Sequence, residues 1–363
     1  MNVARPIRRR AAGRVLITGG CGFLGCNIAA ALAGKGRSVI ALDNLSRTGA
    51  RENAQWLVQH HPRQVAVERA DTRDREAMDR LVRGVDAVMH LAAQVAVTTS
   101  IADPIEDFEI NARGTLNLLE AVRRHNPDAA VIFASTNKVY GALFEPDDIR
   151  QVQHRYVPNA VGLDRGVSER VPLDLHSPYG CSKGTADQYV RDYARVFGLR
   201  TVVLRMSCIY GPRQFGNEDQ GWIAHFLLQA IRETPITIYG DGYQVRDALF
   251  VGDAADAWIR TLDRIEDVSG RIFNLGGGPG NAVSLRELIE LIGDLRGRRP
   301  ECRFAEWRPG DQPWYVSDIS AISGALGWQP RTSLRQGLRA LAQWLDSRIA
   351  ASAPELHLQT ARA

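Results

Sequence analysis

The chain has 363 residues and a formal net charge of +4; 45% of its residues are hydrophobic and 24% are charged. This length allows two domains, and the composition is typical of a soluble globular protein. So small a charge argues against nucleic acid as a partner, and no apolar run reaches the ~18 residues that a membrane span needs. The five cysteines form no Cys-x-x-Cys pair, which predicts reduced thiols, no metal site and a cytoplasmic location.

A short apolar run and a glycine-rich turn open the regular part of the chain. Residues 14–18 (RVLIT) have the pattern of a buried parallel strand, and residues 27–33 have that of a helix. Between them Gly19, Gly22 and Gly25 recur every three residues. This spacing allows a tight turn, close approach of the backbone to a pyrophosphate and close packing of the helix. The alternative is a glycine turn in an α/β fold that binds no nucleotide.

A second strand pattern ends in an acidic residue. Residues 38–42 lead into Asp43, about where a carboxylate accepts hydrogen bonds from the adenosine ribose hydroxyls. The negative charge would repel a 2′-phosphate, so the sequence favours NAD over NADP as the cofactor. Arg47, four residues further on, is the feature that points the other way.

Strand and helix patterns continue to alternate along the first half. Residues 65–67, 87–91 and 130–133 read as strands, and residues 108–124 read as a long helix. The alternation predicts an α/β fold, a Rossmann-type doubly wound parallel sheet with ligands at the carboxyl ends of its strands.

The domain organisation follows from the same patterns. Residues 14–204 are predicted to form the NAD-binding Rossmann domain, with part of 241–270 returning to it. Residues 205–345 are predicted to form a smaller C-terminal α/β substrate lobe. The arginine-rich lead of residues 1–13 and the tail of residues 346–363 lack apolar periodicity and are predicted to be disordered.

The segment HSPYGCSKGTADQY, residues 176–189, carries a candidate catalytic pair. Tyr179 and Lys183 lie four apart, on one face of a predicted helix. An ammonium beside a phenol stabilises the phenolate and lowers its pKa, which makes the oxygen usable as a general base or acid. Ser135 and Thr136 follow a strand and can offer a hydroxyl to the same reacting oxygen. The alternatives are an ordinary helix surface and a capped strand end.

The motifs TGGCGFLG, HLAA, YGCSK, RDALFV and RPGD together resemble the extended short-chain dehydrogenase/reductase superfamily, the NAD-dependent nucleotide-sugar epimerases and dehydratases. The resemblance covers roughly residues 14–345. It implies NAD as cofactor, a nucleotide-diphosphate sugar as substrate, and a homodimer or tetramer formed through the helices near Asp107 and Tyr179.

The resemblance also implies roles for individual residues. It places the catalytic group on Thr136, Tyr179 and Lys183, with Ser135 as an adjacent hydroxyl. The implied cofactor contacts are Gly19, Gly22, Phe23, Leu24, Gly25, Asp43, Asn44, Asp71, Thr72, Leu91, Ala92, Ala93, Gln94 and Asn111, with Tyr179 and Lys183. The candidate substrate contacts are Gln94, Asn137, His176, Cys208, Gln220, Trp222, Tyr239, Arg246 and Arg308. Of these, Arg246 and Arg308 suit a diphosphate.

Three positions depart from the common pattern of the superfamily. Cys208 stands where an Asn is frequent, Phe250 stands where many relatives carry His, and residues 144–164 match poorly. Dehydratases place an Asp-Glu pair directly after the catalytic threonine, because the elimination of water needs an acid and a base; here the pair reads Asn137-Lys138. Oxidation and reduction without elimination remain, which predicts an epimerase.

A narrower resemblance concerns the substrate. The segments DNLSRTGA, STNKVYG, LDLHSPYGCSKGTADQY and RQFGNEDQGW are similar to the members that act on carbon 2 of a CDP-hexose. Three alternatives stay open: epimerisation of a UDP-, GDP- or dTDP-linked sugar, including at carbon 4; a net NAD-dependent dehydrogenase; and a non-enzymatic dinucleotide-sensing protein.

Overall fold

The computed structural model describes residues 13–360 apart from residue 161, so residues 1–12 of the predicted lead lie outside the described residues. The strands are β1 Arg14–Thr18, β2 Ser38–Asp43, β3 Val65–Arg69, β4 Ala87–His90, β5 Ala130–Thr136, β6 Ile149–Val152, β7 Arg155–Pro158, β8 Thr201–Met206, β9 Cys208–Tyr210, β10 Ile236–Tyr239, β11 Val245–Phe250, β12 Ile272–Leu275, β13 Ala282–Ser284, β14 Cys302–Ala305 and β15 Trp314–Tyr315.

The helices complete the two lobes. They are α1 Phe23–Gly34, α2 Ala50–His60, α3 Arg75–Leu81, α4 Val97–Ala102, α5 Pro104–Phe108, α6 Gly114–His125, α7 Ser177–Phe197, α8 Trp222–Ile231, α9 Val251–Asp263, α10 Ile265–Val268, α11 Leu285–Arg296, α12 Ser320–Leu326 and α13 Leu334–Thr360. None of the helices in the described part of the chain is long and apolar enough to cross a membrane.

Seven parallel strands form the main sheet, in the order β12-β8-β5-β4-β1-β2-β3. Successive residues of a strand point to opposite faces, so Val15 and Ile17 pack with α1 and α9, whereas Leu16 packs with α3 and α6. Burying each such side chain contributes roughly 1.5–3 kcal/mol. The predicted Rossmann-type sheet is confirmed, and its carboxyl edge gathers the ends of β1, β2, β4 and β5.

The chain returns to this sheet later than predicted. Helix α9 packs on α1, in line with the predicted return of part of 241–270. Strand β12, however, pairs with β8 in the register Ile272↔Val203, although these residues were expected in the substrate lobe. A parallel edge at β8 would leave backbone N–H and C=O groups unpaired, and β12 satisfies them.

The second lobe is assembled from short strands and three helices. Strand β11 pairs with β13, β15 and β9, and β10 pairs with β14. Helices α8, α11 and α13 enclose the apolar core of this lobe.

Helix α13 runs from Leu334 to Thr360 and so extends into residues 346–363, whose disorder stays a prediction. Near the start of this segment the guanidinium of Arg348 donates to both carboxylate oxygens of Glu52, at 3.0 and 3.1 Å, and lies 4.4 Å from the ring centroid of Phe215. Contacts of a charged side chain of this kind leave no apolar period in the sequence.

Candidate active site

The glycine turn after β1 leaves no room for side chains on its inner side. A Cβ on Gly25 would lie 2.2 Å from the carbonyl oxygen of Gly19, and one on Gly19 would lie 2.8 Å from the backbone nitrogen of Ala92. On its outer side, a Cβ on Gly22 would meet only Gly19, at 3.1 Å. Helix α1 begins there with neither a side-chain cap nor an acidic residue in its first turn, so its N–H groups are available to an anion. This cradle fits the pyrophosphate of NAD.

Substitution of Gly25 by Ala is expected to lower the affinity for NAD at least about tenfold, because the new Cβ pushes the turn away from the anion. Titration with NAD, followed by fluorescence or calorimetry, measures the loss. Gly34 ends the same helix with no atom within 4 Å of a Cβ, so Gly34→Ala serves as the matched control and should bind NAD normally. Unchanged affinity in Gly25→Ala would contradict the assignment of the turn.

Acidic and amide side chains at the ends of β2 and β3 lie where the adenosine part of NAD is predicted to bind. The carboxylate of Asp43 accepts N–H groups of Leu45 at 2.8 Å and Cys21 at 3.1 Å, and Asn44 donates to Asp71 at 2.8 Å. Burial raises the pKa of Asp43, against the lowering effect of these N–H groups. The predicted cofactor residues of these two strands therefore converge around the glycine turn.

The segment after β4 meets the same turn from the other side. The backbone N–H groups of Leu91 and Ala92 donate to the hydroxyl of Thr18, at 3.2 and 3.1 Å. Ala93 continues this half-buried segment, while Phe23 and Leu24 begin α1. Thr72 differs: it is buried, and its carbonyl accepts from the amide of Asn117 on α6.

Two of the predicted ligand contacts take part in a hydrogen-bond network within the protein. The amide of Asn111 donates to the carbonyl of Gln94, to Asp107 and to Ser182, at 3.0–3.1 Å. The amide nitrogen of Gln94 donates to Asp107 and to the carbonyl of Ala96. Their assignment as ligand contacts stays a prediction. Asp107, which is 1% exposed, is the centre of this network and ties α5 to α7.

The predicted catalytic hydroxyls do meet. The Thr136 hydroxyl faces that of Tyr179, and each residue is 8% exposed. Burial raises the pKa of Tyr179 to about 12, the Thr136 hydroxyl lowers it, Asp107 raises it, and the charge of Arg47 lowers it. Helix α7 presents Tyr179 in its first turn, where the backbone N–H of this residue donates to Ser100 on α4.

Lys183 lies one turn after Tyr179 on α7. Burial lowers its pKa to about 7, Asp187 and Asp107 raise it, and its Nζ lies 4.2 Å from the ring centroid of Phe133. Its effect on the Tyr179 phenolate stays a prediction. The charge of Arg47 lowers the pKa of Tyr179, and Arg47 also donates to Gln220 of the second lobe. In the sequence, Arg47 bears only on the choice between NAD and NADP.

Ser135 takes part in a buried ion-pair network. Its hydroxyl donates to Asp187 at 2.7 Å, and the guanidinium of Arg205 donates to both oxygens of the same carboxylate, at 2.9 and 3.0 Å. None of the three is more than 3% exposed. The hydroxyl proton of Ser135 is thus engaged within the protein, and a catalytic role for this residue stays a prediction.

The substrate side of the cleft is built from both lobes. Asn137 donates to Gln312 at 3.2 Å, and Arg246 donates to Asp311 at 3.3 Å. Lys138 donates to the carbonyl of Gly310 at 2.9 Å. In the sequence, Lys138 shows only that this position holds no acid for elimination. The folded structure brings its ammonium against the second lobe.

Further candidates line the outer part of the cleft. The Cys208 thiol accepts the indole N–H of Trp222 at 3.3 Å, and the guanidinium of Arg308 lies 3.6 Å from the ring centroid of Tyr239. His176 contacts a neighbouring acid: its Nε2 lies 2.9 Å from the carboxylate of Asp174. It occupies the N-cap position of α7, but its side chain makes no capping hydrogen bond.

The sheet, the glycine cradle and the Tyr179–Thr136 pair define a dinucleotide-dependent enzyme of redox type. The chain belongs to the NAD dependent epimerase/dehydratase family, whose model matches residues 15–276. It is 43% identical over 341 residues to CDP-paratose 2-epimerase of Salmonella typhi, covering 92% of this chain and 99% of that protein.

More distant relatives agree with this class. A putative UDP-glucose 4-epimerase of Methanocaldococcus jannaschii is 33% identical over 92% of this chain and 98% of its own. The structure of UDP-glucose 4-epimerase of Thermus thermophilus in complex with NAD is 33% identical, with a TM-score of 0.77, over 92% of this chain and 99% of that one. The predicted class, an NAD-dependent nucleotide-sugar epimerase, is confirmed.

Proposed function

We propose that this epimerase inverts carbon 2 of a CDP-hexose, converting CDP-paratose to CDP-tyvelose. The observation that carries the proposal is the Tyr179–Thr136 hydroxyl pair, which opens on a cleft where Asn137 and Lys138 replace the acids that elimination requires. The 43% identity to a CDP-paratose 2-epimerase supports the nucleotide and the carbon.

The residues of the site have separate roles in cofactor binding and in proton transfer. The glycine cradle with Asp43, Asn44 and Asp71 would hold NAD, which when bound accepts and returns a hydride. Tyr179 takes the proton of the sugar hydroxyl, and Thr136 hydrogen-bonds the same oxygen. The keto sugar, tethered by its diphosphate, turns its other face, and Tyr179 then returns the proton.

A panel of CDP-, UDP-, GDP- and dTDP-sugars tests this proposal directly. We expect inversion at carbon 2 with CDP-paratose, and rates at least about tenfold lower with the other nucleotides, because binding energy at the nucleotide is lost. Mass spectrometry and stereochemical analysis of the products measure the outcome. Accumulation of NADH with turnover would instead indicate a net dehydrogenase.

Reaction in deuterated water gives a separate prediction. The hydride that leaves the sugar carbon returns to it, so the product should contain no carbon-bound deuterium, as measured by NMR. Epimerisation by abstraction of a carbon-bound proton would incorporate solvent deuterium at that carbon. Incorporation at the inverted carbon would rule out internal return of the hydride.

We further propose that the protein is a cytoplasmic homodimer. Exposed apolar side chains occur on both helices: Ile105 and Phe108 on α5 are 76% and 47% exposed, and Val196 and Phe197 at the end of α7 are 62% and 48% exposed. Exposed apolar surface of this kind favours pairing with a second copy. The five free cysteines support a reducing compartment. Light scattering after size-exclusion chromatography measures the assembly.

A further inference from the structure

Lysine is rare in this chain. Of the 45 lysine and arginine residues, only Lys35, Lys138 and Lys183 are lysines, and two of these three lie in the cleft. Lys183 belongs to the catalytic pair, whereas Lys138 has no role in the mechanism described above. The chain uses arginine for almost all of its positive charge but has a lysine at this position. The lysine ammonium is a compact charge, whereas the arginine guanidinium is planar and donates several hydrogen bonds in fixed directions.

The backbone places Lys138 directly beside the catalytic threonine. Its N–H donates to the hydroxyl oxygen of Thr136 at 3.2 Å, in the short helical turn Asn137–Tyr140. Its Nζ reaches across the cleft to the carbonyl of Gly310 at 2.9 Å, and its side chain is 22% exposed. Lys138 thus contacts Thr136 through its backbone and the second lobe through its ammonium.

The surroundings of Lys138 contain more positive than negative charge. Arg246, Asp311 and Cys208 are the titratable groups that face it. Asp311 is the one carboxylate shared by the two cations, at 3.3 Å from Arg246 and 3.9 Å from Lys138. Arg246 is only 7% exposed, so water compensates this excess charge poorly. Burial, followed by repulsion from Arg246, lowers the pKa of Lys138 to about 8.

We propose that Lys138 is a substrate-binding residue that, together with Arg246, holds the phosphate attached to the sugar. Both cations line the cleft opened by Thr136, and a phosphate supplies the negative charge that Asp311 only partly provides. The identity of this ligand as a nucleotide sugar rests on the proposed function.

The position of Lys138 also bears on which carbon reacts. The phosphate is carried by the anomeric oxygen, so it lies next to carbon 2 but across the ring from carbon 4. Lys138 follows Thr136 by only two residues, so a phosphate held by Lys138 lies on the same side of the site as the oxygen that the threonine contacts. This placement favours carbon 2 over carbon 4.

Binding of CDP and CMP to the full-length protein, measured by calorimetry, separates a phosphate contact from a structural one. The test variant is Lys138→Gln, which keeps a neutral donor for the carbonyl of Gly310 but removes the charge. We expect CDP affinity to fall about tenfold to a hundredfold, because a charge-assisted hydrogen bond to the terminal phosphate is lost, while CMP affinity stays within about twofold.

Four further measurements complete the test. Lys138→Arg should restore most of the preference for CDP, and Lys35→Gln, on the exposed end of α1, should change neither affinity. Between pH 7 and 9 the wild-type protein should lose CDP affinity as Lys138 loses its proton, and Lys138→Arg should not. A melting temperature equal to that of the wild type shows that Lys138→Gln is folded.

The outcomes are distinct. Equal CDP affinity in Lys138→Gln and the wild type, or an equal loss of CDP and CMP affinity, would overturn the phosphate contact. Inversion at carbon 4 would overturn the selection of carbon 2 by Lys138. The expected CDP effect in a protein that epimerises no sugar would refute the proposed function and still support the cation site.

Discussion

Replacement of Tyr179 by Phe is expected to lower kcat by about 10²–10⁴-fold, the usual contribution of a general acid or base. The substitution removes one oxygen, the one that faces the Thr136 hydroxyl. The ring remains in its buried place, so NAD affinity and the melting temperature should stay close to those of the wild type. Epimerisation of CDP-paratose, followed by NMR, measures kcat.

The same helix provides the control for this substitution. Tyr189 lies on α7 and is 42% exposed, far from the Thr136 hydroxyl along the helix. Tyr189→Phe removes the same atom and should leave kcat unchanged. If Tyr179→Phe kept the activity of Tyr189→Phe, the proposed proton transfer would be wrong.

Replacement of Asp187 by Ala is expected to lower the free energy of unfolding by about 3–5 kcal/mol, the cost of breaking a buried ion pair. The substitution leaves the guanidinium of Arg205, which is 3% exposed, without its carboxylate, and it removes the acceptor of the Ser135 hydroxyl. Denaturation in urea, monitored by circular dichroism, measures the change.

An exposed ion pair provides the control for the Asp187→Ala measurement. Asp267 pairs with Arg264 on the surface, where the two side chains are 59% and 54% exposed. Asp267→Ala should change the free energy of unfolding by less than about 1 kcal/mol, because solvent screens the pair. Equal losses in the two variants would show that burial of the Asp187 pair does not determine its contribution.

Local motifs made much of the site predictable. The glycine turn, Asp43 and the Tyr179–Lys183 spacing each depend on residues close in sequence, and the structure brings them together at the carboxyl edge of the sheet. Parallel strands impose this convergence, because every strand of the sheet ends on the same side. The fold and the positions of these groups therefore follow from short-range patterns.

Contacts between residues far apart in the sequence were not predictable in this way. Ser135 follows a strand, and its hydroxyl donates to a carboxylate 52 residues away. Lys138 contacts a carbonyl 172 residues away, and Arg47 contacts an amide 173 residues away. A local sequence pattern does not show which partner a polar side chain contacts, because that partner lies far away in the sequence.

The late arrival of β12 in the main sheet has a consequence for biosynthesis and for protein engineering. During synthesis β8 is an unpaired edge strand until residues 272–275 emerge, after the first segment of the second lobe, β9 to β11, has been made. The nucleotide-binding half therefore cannot be completed before part of its neighbour is synthesised. Exchange of the substrate lobe between relatives thus requires at least three splice junctions, one after β8 and one on either side of the segment from α9 to β12.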